Sequence, residues 1–123
     1  MRNIYLGLLV VLIGFASGCT AQEAIYEDVT KERFSELIKT GEGILIDLRT
    51  PTEYEEGHIE GSVNIDFFAD NFEAEIAKLD KKKTVYIYCA GGGRSGETLK
   101  LMKKTGFKTV YNLPIGYDGW SND

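Results

Sequence analysis

Short apolar runs rich in β-branched and aromatic residues alternate along this chain with segments of helical periodicity. That alternation predicts an α/β fold, with roughly five parallel strands in one sheet and helices on both of its faces. Two further observations agree. The runs at 44–47 and 85–88 are almost continuously apolar instead of alternating with polar residues, as strands are when both faces of a sheet are covered. The region after an apolar amino-terminal segment is about 100 residues long, enough to bury one core and too short for two. No internal repeat or low-complexity tract interrupts it.

The elements follow in order. Residues 20–25 read as a tether and residues 26–29 as a first short strand. Thr30 can cap a helix running through Phe34, Leu37 and Ile38 and closed by Gly41. A second strand at 44–47 is buried, and a short helix near 52–56 ends at Gly57. Residues 63–65 form a third, brief strand. Phe67 and Phe68 begin a connector into a helix carrying Phe72, Ile76 and Leu79. The fourth strand centres on Val85, Ile87 and their neighbours. In the helix after it, Leu99 and Met102 with Lys100, Lys103 and Lys104 make an amphipathic pattern; Ser95 is the expected N-cap and Gly106 the stop. A fifth strand spans 109–113, and the chain closes on Tyr117 and Trp120, read as packing for a lid.

The chemistry concentrates where the fourth strand meets its loop, Cys89-Ala90-Gly91-Gly92-Gly93-Arg94-Ser95. In a parallel sheet ligands bind beyond the carboxyl ends of the strands, which is where Cys89 falls. Three consecutive glycines let the backbone curl with its amides inward, a nest that stabilises an anionic sulfur just below the positive end of a helix. Such surroundings lower a thiol's pKa from about 8.5 and populate the nucleophilic thiolate. Arg94 adds a positive charge and a planar fork suited to an anionic substrate. An inert core cysteine beside a merely flexible turn would explain neither the bare cradle nor the arginine.

These residues resemble the active loop of the single-domain rhodaneses, Cys-x-x-Gly-x-Arg-Ser, matched by Cys89, Gly92, Arg94 and Ser95. Upstream, Asp47, Arg49, Glu53, Tyr54, Gly57, His58, Ile59, Gly61, Asn64 and Ile65 are similar to the same family's signature, with Ser62 where alanine is usual. Downstream, Val110 to Leu113, Gly116 and Trp120 resemble its closing strand and Gly-Gly-x-x-x-Trp turn, with Ile115 replacing the first glycine. The resemblance implies a rhodanese-like domain over residues 26–123 and transfer of a sulfane sulfur from a donor such as thiosulfate to a thiol or protein acceptor. In that chemistry Cys89 is nucleophile and persulfide carrier, the amides of Ala90 to Ser95 hold the persulfide anion, and Arg94 draws the donor and steadies the departing group. No metal or organic cofactor is required. The four residues between Cys89 and Arg94 match sulfurtransferases; phosphatases and arsenate reductases of related fold have one more, which widens the cradle for a tetrahedral oxyanion. The alternative from another class is a non-catalytic module at the membrane: a carrier charged by another protein, a redox sensor or a partner-binding domain.

Other polar residues have plainer expectations. Asp47, at the same sheet edge as Cys89, could orient the loop or position an acceptor. Arg49 and Glu53 are spaced to pair as i, i+4 neighbours and brace the turn with Tyr54, as exposed charge pairs do. His58, the sole histidine, is expected to hydrogen-bond locally, and one histidine with two cysteines makes a poor zinc site.

The amino terminus reads as an export signal: Met1-Arg2-Asn3, then a nearly continuous apolar run to Ala16, too short for a comfortable membrane span. Ala16-Ser17-Gly18-Cys19 resembles the lipobox of bacterial lipoproteins, which implies a signal peptide over 1–19, acylation of Cys19 and anchorage to a membrane of the periplasm or cell envelope. An ordinary secretory signal is the alternative. With Cys19 acylated or removed, Cys89 is left with no disulfide partner in the chain and depends on an external thiol or reductant. The net charge of −5 argues against nucleic acid as a partner, because phosphate neutralisation needs a basic face. Lys81-Lys82-Lys83 reads as a solvated turn, against the alternative that these lysines draw anionic donors or lipid headgroups. The sequence carries no oligomerisation signal.

Overall fold

The computed structural model describes residue 14 and residues 23–122. The expected signal peptide apart from residue 14, with Cys19, and the expected tether as far as residue 22 lie outside the described residues. The chain runs β1 (Ile25–Asp28), α1 (Lys31–Ile38), β2 (Ile44–Asp47), α2 (Pro51–Glu56), β3 (Val63–Asn64), α3 (Phe72–Ala77), β4 (Thr84–Tyr88), α4 (Gly93–Lys104), β5 (Thr109–Leu113) and α5 (Gly116–Ser121). All four strand pairings are parallel, in the order β1-β5-β4-β2-β3. The expected five-stranded parallel sheet is therefore present.

The strand order places the site. From β2 the chain leaves toward β3 on one side, and from β4 it leaves toward β5 on the other, so the connections diverge between two neighbouring strands. This reversal opens a crevice at the carboxyl ends of β2 and β4. Asp47 and Tyr88 are register partners there, and Leu48 extends the ladder by donating its N–H to the Tyr88 carbonyl at 2.9 Å.

Side chains along β4 alternate between the faces, as the period of a strand requires. Val85, Ile87 and then Cys89 join Ile46, Phe72, Ile76, Met102, Phe107 and Val110 beneath α3 and α4. Tyr86 and Tyr88 face Phe34, Ile59 and Leu113 on the α1 side, where Trp120 of α5 packs edge-on against Phe34. Val85, Ile87 and Phe34 are fully buried. Each stabilises the fold by about 1.5–3 kcal/mol through burial, which offsets the cost of ordering the short strands.

Several local expectations need correction. β1 spans Ile25–Asp28, one residue earlier than the expected 26–29, because the Ile25 N–H bonds to the Lys108 carbonyl at 2.7 Å. Ser95 is not the cap of α4. Gly92 occupies that position in a left-handed conformation, and the helix starts two residues before the serine. The closing segment is helical and becomes α5. Ile115, standing where a glycine was expected, has ordinary helical angles; the positive φ of +65° falls on Gly116, where a Cβ would lie 2.1 Å from the Ala90 carbonyl oxygen.

Candidate active site

Cys89 leaves the end of β4 nearly inaccessible, with 1% of its surface exposed. Its Sγ accepts hydrogen bonds from the Gly92 N–H at 3.1 Å and the Ser95 N–H at 3.4 Å, and lies 3.5 Å from the Ser95 hydroxyl. These groups surround the amino terminus of α4, where the unpaired amides and the helix dipole favour negative charge. Ser95 thus acts on the sulfur, and its hydroxyl also reaches the Gly92 carbonyl at 3.3 Å. Burial pushes the thiol's pKa up. The Ser95 hydroxyl and the amides of Ser95, Gly92 and Gly91 outweigh it, and the net direction is down. Each hydrogen bond to a charged group contributes about 1.5–3 kcal/mol, so a few of them suffice to overcome the desolvation of one sulfur.

Of the three glycines only Gly92 is forced by its surroundings. Its φ is +103°, and a Cβ there would sit 2.3 Å from the Pro114 carbonyl oxygen. Gly93 has open space around it, and Gly91 only an Asp118 carboxylate oxygen at 4.0 Å. The loop is held from behind by α5: the Tyr117 N–H bonds to the Cys89 carbonyl at 2.7 Å and the Asp118 N–H to the Ala90 carbonyl at 3.1 Å. Carbonyls are thereby turned away from the cradle and amides toward it.

Arg94 does not stand as a free cation. Its Nη1 and Nη2 fork onto Oε1 and Oε2 of Glu53 at 2.8 and 3.1 Å, and its guanidinium lies 5.4 Å from the Phe68 ring centre. Glu53 is anchored in turn by the capping box of α2, its Oε1 accepting from the Thr50 N–H and hydroxyl, both at 3.1 Å. The Arg94 pairing, opposed by partial burial and assisted by Thr50, lowers the Glu53 pKa to about 2.

The expected Arg49–Glu53 pair is therefore absent. Arg49 is a buried residue that forks onto the fully buried Asp47, with Nη2–Oδ2 at 2.7 Å, and donates to the Gly57 carbonyl at 2.6 Å. Its guanidinium packs 4.2 Å from the Tyr117 ring centre. Inside the fold Arg49 is held by the fork of Asp47 and the Gly57 carbonyl together, hydrogen bonds that offset the desolvation of the pair, while Glu53 is taken up by Arg94 and Thr50. Asp47 meets neither the loop nor open space; it braces Arg49, which supports α5 and so the loop indirectly. His58 stacks on Tyr54 at 3.7 Å and bonds through Nδ1 to the Tyr54 carbonyl at 2.8 Å, on the exposed surface. Ser62 accepts a hydrogen bond at 3.2 Å from the Tyr88 hydroxyl, which itself accepts from the Ile59 N–H. An alanine there could not.

Sequence reasoning missed Glu53 as the partner of Arg94, and Gly116 and Asp118 as parts of the loop's support. The motif Thr50-Pro51-Thr52-Glu53 held a usable signal, because a glutamate three residues after a capping threonine folds back on the helix start.

Residues 30–123 match the family model described as a rhodanese-like domain. The uncharacterized protein YqhL of Bacillus subtilis is 32% identical over 91% of both chains. The thiosulfate sulfurtransferase GlpE of Coxiella burnetii is 30% identical over 78% of this chain and 88% of its own. YrkF of Bacillus subtilis, named as a candidate sulfur carrier protein, is 33% identical over 76% of this chain, which spans half of YrkF. Among solved structures, a rhodanese-related protein from Thermoplasma volcanium superposes with a TM-score of 0.68 at 24% identity, over 78% of this chain and 91% of that one, a likeness of fold.

Proposed function

The chain belongs to the rhodanese-like family, whose matched relatives include a named sulfurtransferase, and from that premise we propose that it moves a sulfane sulfur through a persulfide on Cys89. The observation that carries this reading is the ring of donors around Sγ, with Gly92 N–H at 3.1 Å and Ser95 N–H at 3.4 Å at the start of α4. The thiolate attacks the outer sulfur of a donor; with thiosulfate the S–S bond breaks and sulfite departs with the bonding pair. The persulfide anion keeps the charge on sulfur and so keeps the amides as partners. A thiolate acceptor then attacks that outer sulfur, and the Cys89 thiolate is released. The four-residue spacing from Cys89 to Arg94 favours one added sulfur over a tetrahedral oxyanion.

Intact-mass measurement of the purified protein after thiosulfate, and again after cyanide, tests this. The expected result is a gain of one sulfur, its loss to cyanide as thiocyanate over repeated cycles, and neither event in Cys89→Ser. A Cys89→Ser variant that retains full transfer would overturn it. The second reading, a carrier loaded by another protein, is favoured by the likeness to YrkF; sulfur gained from a protein persulfide, without turnover on any small donor, is its signature. We place the reaction at a membrane surface of the cell envelope through an acylated Cys19, on the strength of the lipobox-like Ala16-Ser17-Gly18-Cys19. Palmitate labelling that persists in Cys19→Ala would exclude that anchor.

A further inference from the structure

Resting on the persulfide reading, we infer that Glu53 determines the donor class, holding the charge of Arg94 so that the site favours a thiol-borne persulfide without net negative charge over inorganic thiosulfate. The pairing is bidentate at 2.8 and 3.1 Å, and Thr50 fixes the carboxylate from its far side, so the guanidinium is matched by an immobilised countercharge. The opposite end of the loop is also acidic, with the Asp118 carboxylate beside Gly91. Next to the loop, Glu53, Glu56 and Asp118 line a cleft of about 350 Å³ in which the one guanidinium, Arg49, is already bound to Asp47 and the Gly57 carbonyl. The side chains around the loop therefore offer a dianion more negative than uncommitted positive charge.

The apolar surroundings suit an organic donor. Phe68, 65% exposed, lies against Arg94, and Ile115, 45% exposed, follows the Pro114 whose carbonyl abuts Gly92. A persulfide R–S–SH offers carbon to these side chains and needs no cation to bind. In the transfer, the Cys89 thiolate bonds to the outer sulfur, the donor's S–S bond breaks, and the thiolate R–S⁻ leaves with the bonding pair while the proton stays on the transferred sulfur. Atoms and charge balance without an oxidant or reductant.

The test uses the full chain, with cysteamine persulfide, neutral overall because its ammonium balances its persulfide anion, against thiosulfate, reading kcat/KM for sulfur loading of Cys89 at several ionic strengths. Cysteamine persulfide is expected to exceed thiosulfate by about tenfold or more, and the thiosulfate rate to stay flat or rise with salt, since screening relieves repulsion. Glu53→Gln is expected to raise the ratio of kcat/KM for thiosulfate to that for cysteamine persulfide by about tenfold, since an uncovered cation a few ångströms from a dianion contributes at least that much at the dielectric of a protein surface. Equal use of both donors by the native chain, a thiosulfate rate that falls steeply with salt, or a Glu53→Gln variant that moves both donors together would overturn the inference. The salt dependence of the native chain decides even where the variant folds poorly. Loading by thiosulfate alone leaves the persulfide reading standing and removes this one, whereas loading by neither donor removes both.

Discussion

Gly92→Ala and Gly93→Ala alter adjacent residues of one triple glycine and should have opposite outcomes. At Gly92 the backbone holds φ at +103°, which costs a residue with a Cβ about 1–3 kcal/mol. The new methyl would also lie 2.3 Å from the Pro114 carbonyl oxygen, so one of them must retreat by roughly 1 Å to reach ordinary contact. Retreat by the loop moves the Gly92 N–H, now 3.1 Å from Sγ, out of hydrogen-bonding range. A bond from N–H to a charged sulfur is worth about 1.5–3 kcal/mol, and 1.36 kcal/mol is tenfold in a population. Gly92→Ala should therefore lose about 2–4 kcal/mol of stability in urea unfolding and slow alkylation of Cys89 by iodoacetamide at pH 7 by about tenfold or more. Gly93→Ala places its methyl in open space at the first residue of α4 and should gain about 0.4–1 kcal/mol through the unfolded chain, with alkylation unchanged. A Gly92→Ala protein as stable and as reactive as the parent would refute this account of the cradle. So would equal damage from Gly93→Ala.

The depressed thiol pKa predicts a pH profile for iodoacetamide alkylation with its midpoint below the ordinary value of about 8.5, and Ser95→Ala should move that midpoint upward because the hydroxyl that lowers it most is lost; an unchanged midpoint counts against the hydroxyl. Folded Glu53 titrates at about 2, below its ordinary range, so its pairing contributes fully above that range and is lost as pH falls through about 2; the stability gap between the parent and Glu53→Gln in urea should therefore narrow from pH 5 to pH 2, and a constant gap would deny the ion pair. Asp47→Ala strands a buried guanidinium and should cost about 3–5 kcal/mol, with Asp47→Ala/Arg49→Met recovering at least about 1 kcal/mol; denaturant melts that show no recovery would mean the pair itself is not the source of the loss. Gly119→Ala brings a methyl to 2.8 Å from the Ile115 Cβ and should destabilise α5 by about 1–3 kcal/mol, an effect that Ile115→Gly, which removes that Cβ, should largely relieve and Ile115→Ala, which keeps it, should not.

What the sequence by itself determined was local. Apolar continuity marked β2 and β4 and the bounds of β5, because a strand buried on both faces has no place for alternation. The run from Cys89 to Ser95 announced a thiol beneath a helix start, because a bare backbone followed by a helix leaves amides without partners. The capping threonine of α1, Thr30, acts within three residues of itself, and such a contact needs no knowledge of the fold. Tertiary structure decided who pairs with whom. Arg49 had Glu53 four residues away and Asp47 two residues away, and at the crevice the fork of Asp47 and the Gly57 carbonyl hold it together; Arg94, 41 residues from Glu53 in sequence, took the carboxylate that remained. Nor could spacing show that Pro114 crowds Gly92 while leaving Gly93 free, or that α5 grips the carbonyls of Cys89 and Ala90. Those contacts arise because β4 and β5 lie side by side, which brings two distant loops to one edge of the sheet. Ion pairs and steric fits act over a few ångströms of space, and distance along the chain does not encode that space.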